Sequence, residues 1–257
     1  MSIARRRTSR RALVASSAAL LTVLGGAAPA LAATAPAIVH APLGHAPLGH
    51  HGGGVLRSTS SNWAGYAATG GKFTSVSASW VQPSVSCSGS DTWSSFWVGI
   101  DGDGSNSVEQ LGTEADCSGG SPVYSSWYEM YPAYPVNFSN SVRPGDHFTA
   151  SVTTNGSGSF TLTLSDTTQG WKRSVNKTLR SAALASAEVI AEAPSSSTGV
   201  LPLSNFGTVG FSGATANGQS LSAAGASSIT MASGSTTKAT TSGLSGGSAF
   251  SVTWKHS

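Results

Sequence analysis

Apolar and polar residues alternate with a period of two through most of the chain after residue 57. The clearest runs are 148–152, 160–164 and 250–254, in which every second side chain is apolar and those between are Ser or Thr. Turn-forming sequences such as Arg143–Asp146 and Asn155–Gly158 separate such runs at intervals of about 8–14 residues. A period of two is typical of half-buried strands. We therefore predict an all-β domain over residues 58–257, packed as a two-sheet sandwich.

The first 32 residues have the composition of an export signal. Five arginines lie within residues 5–11, an apolar run follows from Ala12 to Leu24, and residues 30–32 (Ala-Leu-Ala) form a small-x-small cleavage site. The apolar run is too short to span a membrane. The paired arginines Arg10 and Arg11 fit a twin-arginine signal as well as an ordinary secretory signal, so both routes stay open. We expect a secreted, extracellular protein.

Residues 33–57 form a low-complexity linker or pro-segment rich in His, Pro and Gly. Its sequence His-Ala-Pro-Leu-Gly at 40–44 repeats at 45–49. Such a segment has too few apolar side chains to offset the entropy of ordering, so we expect it to be disordered or removed. Because histidine changes charge at about pH 6.5, a pH-sensing pro-segment is an alternative, as is adventitious metal binding.

Removal of the signal reverses the sign of the net charge. The full sequence has 14 Lys and Arg against 11 Asp and Glu, but five of the arginines lie in residues 1–32. The mature chain therefore has 9 basic and 11 acidic side chains, a net charge of −2. With this balance, neither nucleic acid nor an anionic membrane is an expected partner.

The chain has two cysteines, Cys87 and Cys117. In an oxidising compartment such a pair is expected to form a disulfide. The bond would close a loop of about 30 residues and stabilise the domain by ~3 kcal/mol. No set of histidines accompanies the two cysteines, so we predict neither a metal site nor a cysteine nucleophile.

Two carboxylates share one face of a predicted strand at residues 187–192 (Ala-Glu-Val-Ile-Ala-Glu). Alternation puts Glu188, Ile190 and Glu192 on one face, and the Ala and Val residues on the other. At about 3.3 Å per residue the two carboxylates lie roughly 13 Å apart, too far to share a proton. The residues alone leave two interpretations open, an ordinary solvent-exposed face or a groove.

Four motifs follow one another along the chain: residues 61–66 (Ser-Asn-Trp-Ala-Gly-Tyr), 97–113 (beginning Trp-Val-Gly-Ile-Asp-Gly and ending Val-Glu-Gln-Leu-Gly-Thr), 127–132 (Trp-Tyr-Glu-Met-Tyr-Pro) and 187–192. In this order they resemble the glutamic peptidases, or eqolisins, over the chain from about Ser58 onward. The resemblance implies a concanavalin-like jelly-roll sandwich of two antiparallel sheets. It also implies an acid-acting endopeptidase with polypeptide substrates. In two places, at positions 130 and 189, Met and Val stand where the family commonly has Trp.

By the same resemblance, Glu188 is the catalytic glutamate and Gln110 the catalytic glutamine, with Glu192 as the reserve candidate for the glutamate. Glu188, ionised at mildly acidic pH, would take a proton from an attacking water and return it to the leaving amine. Gln110, which stays neutral in acid, would stabilise the oxyanion. We expect direct attack by water, no metal, no cofactor and a monomer. The residues expected to line the cleft or orient the pair are Trp63, Trp97, Asp101, Glu114, Glu129 and Glu192.

Two other functions fit the same architecture. A sandwich of this kind can be a non-catalytic carbohydrate- or peptide-binding module, and Glu129 with Glu188 could form the carboxylate pair of a glycanase. The group that faces Glu188 separates these functions, since a peptidase needs an amide there and a glycanase needs a second carboxylate.

A Ser-His-Asp triad is not supported because His147 accompanies no nucleophile elbow. Residues 101–106 resemble a calcium loop, but the glutamate required at position 112 is a glycine.

Overall fold

The computed structural model describes Met1, residues 37–43 and residues 57–257. The chain divides into two units, 1–35 and 36–257, and the described structure apart from Met1 belongs to the second. The predicted export signal and most of the predicted linker lie outside the described residues. Within the described ranges the structure is all β, as the alternating pattern predicted. None of these residues forms a helix with the length and apolarity needed to cross a membrane.

Strands of two to eleven residues make up the domain. In chain order they are β1 Arg57–Ser60, β2 Trp63–Thr69, β3 Ser75–Val81, β4 Ser95–Ile100, β5 Val108–Ser118, β6 Ser121–Tyr131, β7 Val136–Asn137, β8 His147–Thr154, β9 Ser159–Asp166, β10 Trp171–Thr178, β11 Ser186–Glu192, β12 Ser195–Ser196, β13 Gly199–Val200, β14 Thr208–Ala216, β15 Gln219–Ser220, β16 Ser227–Ser233, β17 Thr236–Thr241 and β18 Phe250–Trp254.

Most strands hydrogen-bond in one path, in the order β10-β9-β8-β3-β14-β18-β17-β16-β2-β11-β4-β5-β6-β7. β1 pairs in parallel with β16, β15 pairs with β14, and β12 and β13 form a separate two-stranded sheet. The path folds back on itself, so that β4 and β11 contact β3, and β5 contacts β8 and β9, across a shared core. The predicted sandwich is therefore confirmed, with its two layers joined by hydrogen bonds through β16, β17 and β18.

Apolar side chains from both layers fill the space between them. From β3, β8 and β9 come residues such as Trp80, Phe148 and Leu162, and from β4 and β5 come Val98 and Leu111, all buried. The Trp80 indole N–H, which enters this core, donates to the Thr113 hydroxyl at 3.0 Å. Side chains on alternate positions of the same strands point away from this core.

The predicted disulfide between Cys87 and Cys117 is confirmed. Cys117 lies within β5, and Cys87 lies in the segment between β3 and β4. The bond therefore fixes the approach to β4 against the far end of β5.

Residues 37–43 lie across the outer face of the layer that contains β2, β11, β4, β5 and β6. The Val39 N–H donates to the Ser195 carbonyl at 2.8 Å, the Ser195 N–H donates back at 2.9 Å, and the Leu43 N–H donates to the Gly102 carbonyl at 3.1 Å. Leu43 packs among tryptophans and is 8% exposed. These seven residues are therefore ordered and not disordered, because backbone pairing and one buried leucine hold them. The alternative expectation, that the segment is removed, stays a prediction. The rest of residues 33–57, apart from Arg57, lies outside the described residues.

Candidate active site

Strand register places three of the predicted site residues, Glu188, Gln110 and Glu129, in one row. Across β11, β4, β5 and β6, Glu188 is paired with Gly99, Gly99 with Gln110, and Gln110 with Glu129. Residues paired in this way project from the same face of a sheet, with about 4.8 Å between neighbouring strands. Glu188 and Gln110 are thus two strands apart, and the residue between them has no side chain.

Gly99 is required at this position by the close approach of its neighbours. A Cβ atom built there would lie 2.9 Å from Trp97 Cζ3 and 3.1 Å from Gln110 Cβ. Either neighbour would have to move to make room. The glycine therefore keeps the space between Glu188 and Gln110 open.

The amide of Gln110 is oriented by two acceptors. Its Nε2 donates to Glu129 Oε2 at 3.0 Å and to the His40 backbone carbonyl oxygen at 2.7 Å. Glu129 Oε2 also accepts the His40 N–H at 3.1 Å. Glu129 therefore fixes which end of the Gln110 amide points into the cleft, and the amide contacts a peptide carbonyl there.

Glu188 is completely buried, and neither of its carboxyl oxygens has a hydrogen-bonding partner among the described residues. Burial raises the pKa of Glu188 well above the ordinary range of a glutamate. The nearby Ser186 hydroxyl lowers the pKa, and the carboxyl groups of Asp103, Asp101 and Glu109 raise it further. Glu188 is thus a protonated carboxyl group in acid, with both oxygens available for a substrate or water.

Glu192 lies in a different row from Gln110, four residues along β11 and paired with Ser95 of β4. Its Oε2 accepts the Trp97 indole N–H at 2.9 Å and lies 3.3 Å from His40 Nδ1. Burial raises the pKa of Glu192, and contact with His40 opposes that effect. Glu114, across β4 from Glu192, has its Oε1 at 3.4 Å from His40 Nε2. The two predicted acidic residues of this row therefore flank the imidazole and not the amide.

Asp101 is buried at the end of β4 and holds the entrance to β11. Its two carboxylate oxygens accept the N–H groups of Leu184 at 2.8 Å and Ala185 at 2.7 Å. Asp101 adopts a φ of 71°, which turns the chain sharply after the strand. Asp101 thus orients the segment that leads into β11 and Glu188, and it does not contact the amide of Gln110.

Tryptophans form the floor of the cleft. Trp63 and Trp97 meet edge to face, with ring centroids 4.9 Å apart and an interplanar angle of 77°. Trp127 stacks on the His40 imidazole at 3.6 Å with an angle of 2°. These three rings and Ile190 form an apolar cluster separate from the core between the layers.

The sequence profile of the peptidase A4 family matches residues 61–254. The chain belongs to the peptidase A4 family. All the site residues predicted from the sequence fall inside the matched range, whereas residues 37–43, which lie in the cleft, precede it.

Relatives of the peptidase A4 chain include two fungal proteins. It is 31% identical to aspergillopepsin-2 of Aspergillus niger over 183 residues, 61% of this chain and 64% of the relative. It is 37% identical to scytalidopepsin B of Scytalidium lignicola over 117 residues, 45% of this chain and 44% of the relative. The chain thus spans less than two thirds of the length of either. The crystal structure of scytalido-glutamic peptidase with a transition state analog inhibitor matches with a TM-score of 0.66 and 30% identity, covering 76% of this chain and 98% of that one.

His40, Asn62 and Ser95 lie in the cleft of this A4 chain and were not among the site residues predicted from the sequence. Asn62 Nδ2 donates to the carbonyl oxygens of Ala41 and Pro42, and Ser95 Oγ lies 3.2 Å from His40 Nδ1. The signal for Asn62 was present, since it lies inside the Ser-Asn-Trp motif. His40 was assigned to a low-complexity linker, where composition says nothing about a partner more than 50 residues away.

Proposed function

We propose that the chain is an acid-acting endopeptidase that hydrolyses peptide bonds through Gln110 and Glu188. The observation that carries the proposal is the 2.7 Å contact between Gln110 Nε2 and a peptide carbonyl oxygen, in the register row that contains Glu188. A preorganised donor at hydrogen-bonding distance from a peptide carbonyl stabilises the negative charge that develops on its oxygen in the transition state.

The raised pKa of Glu188 changes the order of proton transfers from the one expected from sequence alone. A neutral carboxyl group can donate through its hydroxyl oxygen and accept through its carbonyl oxygen. In the proposed first step, Glu188 accepts a proton from the attacking water and gives its own to the carbonyl oxygen held by Gln110. In the second step Glu188 protonates the leaving nitrogen and recovers a proton from the tetrahedral carbon's hydroxyl. The C–N bond breaks, and Glu188 ends as it began.

The glycanase alternative is disfavoured by the same row. Glu129 is three strands from Glu188, with Gln110 between them and hydrogen-bonded to Glu129. Paired glycosidase carboxyl groups face each other across the sugar at about 5–9.5 Å, with no amide between them. The group next to Glu188 across the glycine gap is an amide, which favours peptide hydrolysis.

The test is cleavage of a denatured protein at about pH 3.5, beside a panel of polysaccharides. We expect cleavage of the protein alone. Glu188→Gln and Gln110→Ala should each lower kcat by at least about 100-fold, with folding checked by circular dichroism. The matched control is Glu192→Gln, on the same face of the same strand but in the row next to the His40 imidazole. This substitution should lower kcat much less. Full activity in Glu188→Gln would overturn the assignment. Inactivity of the unmodified chain on every protein in acid would favour a binding module.

We also propose that the chain is exported and acts outside the cell as a monomer. The disulfide between Cys87 and Cys117 supports an oxidising compartment. The twin-arginine route stays a prediction, and substitution of Arg10 and Arg11 by lysine tests it: export should stop if that route is used and continue through an ordinary secretory signal.

A further inference from the structure

Residues 37–43 lie in the cleft with backbone contacts on both sides of one peptide bond. On the N-terminal side, Val39 exchanges two hydrogen bonds with Ser195, and the His40 N–H donates to Glu129. On the C-terminal side, the Ala41 carbonyl accepts the Trp63 indole N–H at 3.1 Å. The His40 carbonyl between these contacts is the one that Gln110 holds. An extended segment bound in this way has the arrangement of a peptide substrate.

The His40 side chain fills a pocket built for a cation. Its ring stacks on Trp127, its Nδ1 lies 3.3 Å from Glu192, and its Nε2 lies 3.4 Å from Glu114. The ring is 1% exposed. An imidazolium in this position has an attractive partner on each of these sides: a carboxyl group on two of them and an aromatic face on the third.

The C-terminal half of residues 37–43 is held by Asn62 and by the edge of the cleft. Asn62 Nδ2 lies 3.2 Å from the Ala41 carbonyl oxygen and 3.3 Å from that of Pro42. The Leu43 N–H donates to Gly102, and its side chain packs in the same cluster as Ile190, Trp63 and Trp97. The bond after His40 is therefore fixed from both directions over Gln110.

We propose that the chain cuts itself at the His40–Ala41 peptide bond, an inference that rests on the peptidase function proposed above. A water oxygen bonds to the His40 carbonyl carbon, and the bond from that carbon to the Ala41 nitrogen breaks. His40 becomes a C-terminal carboxyl group and Ala41 a free amine, with Glu188 transferring the protons. Hydrolysis needs no co-reactant other than water.

The charges around His40 favour release of the product in acid. Burial alone would lower the pKa of His40, but contacts with Glu114 and Glu192 and the charge of Glu129 raise it to about 10. Four carboxyl groups face or influence the ring: Glu114 and Asp116 of β5, Glu129 of β6 and Glu192 of β11. Burial raises the pKa of Asp116, Glu129 and Glu192. Protonation of Glu192 removes an opposite charge next to the imidazolium, which weakens the hold on the segment that ends at His40.

The chain contains an internal control for this proposal. His45–Ala46 has the same flanking sequence, His-Ala-Pro-Leu-Gly, as His40–Ala41. Cleavage governed by local sequence alone would cut both bonds at similar rates. Cleavage governed by placement over Gln110 should cut His40–Ala41 first.

The experiment transfers the purified full chain from pH 7 to about pH 3.5 and identifies new N-termini by mass spectrometry over time. We expect an Ala41 terminus to form at least about tenfold faster than an Ala46 terminus, with a rate constant independent of protein concentration. Glu188→Gln should abolish it. His40→Ala should slow it about tenfold or more, whereas the matched variant His45→Ala should leave it unchanged. Equal cleavage of the two repeats, or a rate proportional to concentration, would overturn the proposal.

Two further readouts separate this inference from the peptidase function. In Glu188→Gln at neutral pH, the amides of Val39, His40 and Leu43 should be protected from hydrogen exchange, and His40→Ala should remove that protection. If these amides are not protected in Glu188→Gln, the inference is wrong whatever the activity. If the unmodified chain cuts added denatured protein but forms no Ala41 terminus, the self-cleavage inference is wrong and the peptidase function stands. If it cuts neither substrate, both proposals are wrong.

Discussion

The two layers of the sandwich present outer faces of opposite chemistry. The outer face of β3, β8, β9 and β10 is built from paired hydroxyl groups, for example Ser79 with Thr149 at 3.0 Å and Thr163 with Ser174 at 2.9 Å. The outer face of β2, β11, β4, β5 and β6 is built from tryptophans, carboxyl groups and Gln110. Both faces are the polar side of alternating strands, but solvent reaches the first and residues 37–43 lie over the second.

The difference determines where pH can act. Hydroxyl pairs stay neutral throughout the accessible pH range, and water replaces any pair that is lost. Buried carboxyl groups must carry a proton or bear the cost of an unsolvated charge. Burial raises the pKa of Glu129, next to Gln110 on the outer face, to about 8. The proposed catalytic residues Glu188 and Gln110 therefore lie on the same face as Glu129, a carboxyl group that ionises near neutral pH.

The largest effect that would test this contrast comes from adding one methyl group to each face. Gly99→Ala puts a Cβ within 3.1 Å of Gln110 Cβ and within 2.9 Å of Trp97. Displacing the amide from the row should lower peptide cleavage by about 100-fold, because small misplacements in an active site have effects of that size. The measurement is kcat/KM on a denatured protein substrate in acid.

The matched control is Gly210→Ala in β14. Gly210 is exposed, and a Cβ built there meets nothing within 4 Å. Cleavage should be unchanged, and stability should be equal or slightly higher because glycine weakens strand interiors. Equal losses of activity in the two variants would mean that the gap at Gly99 has no special role.

The sequence predicted what depends on neighbouring positions and missed what depends on distant ones. Alternation was enough to group Glu188, Ile190 and Glu192, since a strand reverses its faces at each residue. The family motifs supplied Gln110, but its position across Gly99 from Glu188 depends on register between strands far apart in sequence. The order of residues 37–43 likewise depends on Ser195 and Glu129, which lie far along the chain. No local composition contains that information.

The second prediction concerns stability and pH. Because the folded-state pKa values of Glu109 and Glu129 exceed their unfolded values of 4.5, the stability they contribute is complete below about pH 4.5 and is lost as the pH rises through 8 and 9. The melting temperature should be highest in acid and fall by on the order of 5–10 °C between about pH 4 and pH 8. Thermal unfolding followed by circular dichroism in Glu188→Gln, which cannot cut itself under the proposal above, measures this.

Glu129→Gln sharpens that prediction because it removes one ionisable group and keeps its size. The protein with Glu188→Gln alone is compared with the protein that carries both Glu188→Gln and Glu129→Gln. The fall in melting temperature between pH 4 and pH 8 should be smaller in the second. A melting temperature that rises towards neutral pH would show that carboxylates paired elsewhere outweigh the cleft, and would contradict the contrast between the faces.

The smallest effect is expected on the hydroxyl face, at Thr163→Ala in β9. Its hydroxyl pairs with Ser174, which is exposed, so water can take its place when the pair is lost. The free energy of unfolding should change by less than about 0.5 kcal/mol, as is usual for surface substitutions away from special features. Because neither partner titrates, the change should be the same at pH 4 and pH 7, and peptide cleavage should not change. Chemical denaturation at the two pH values, with the Glu188→Gln background as reference, measures the difference. A pH-dependent change larger than that of Glu129→Gln would mean that sensitivity to pH is spread over the whole sandwich and is not confined to the face that binds residues 37–43.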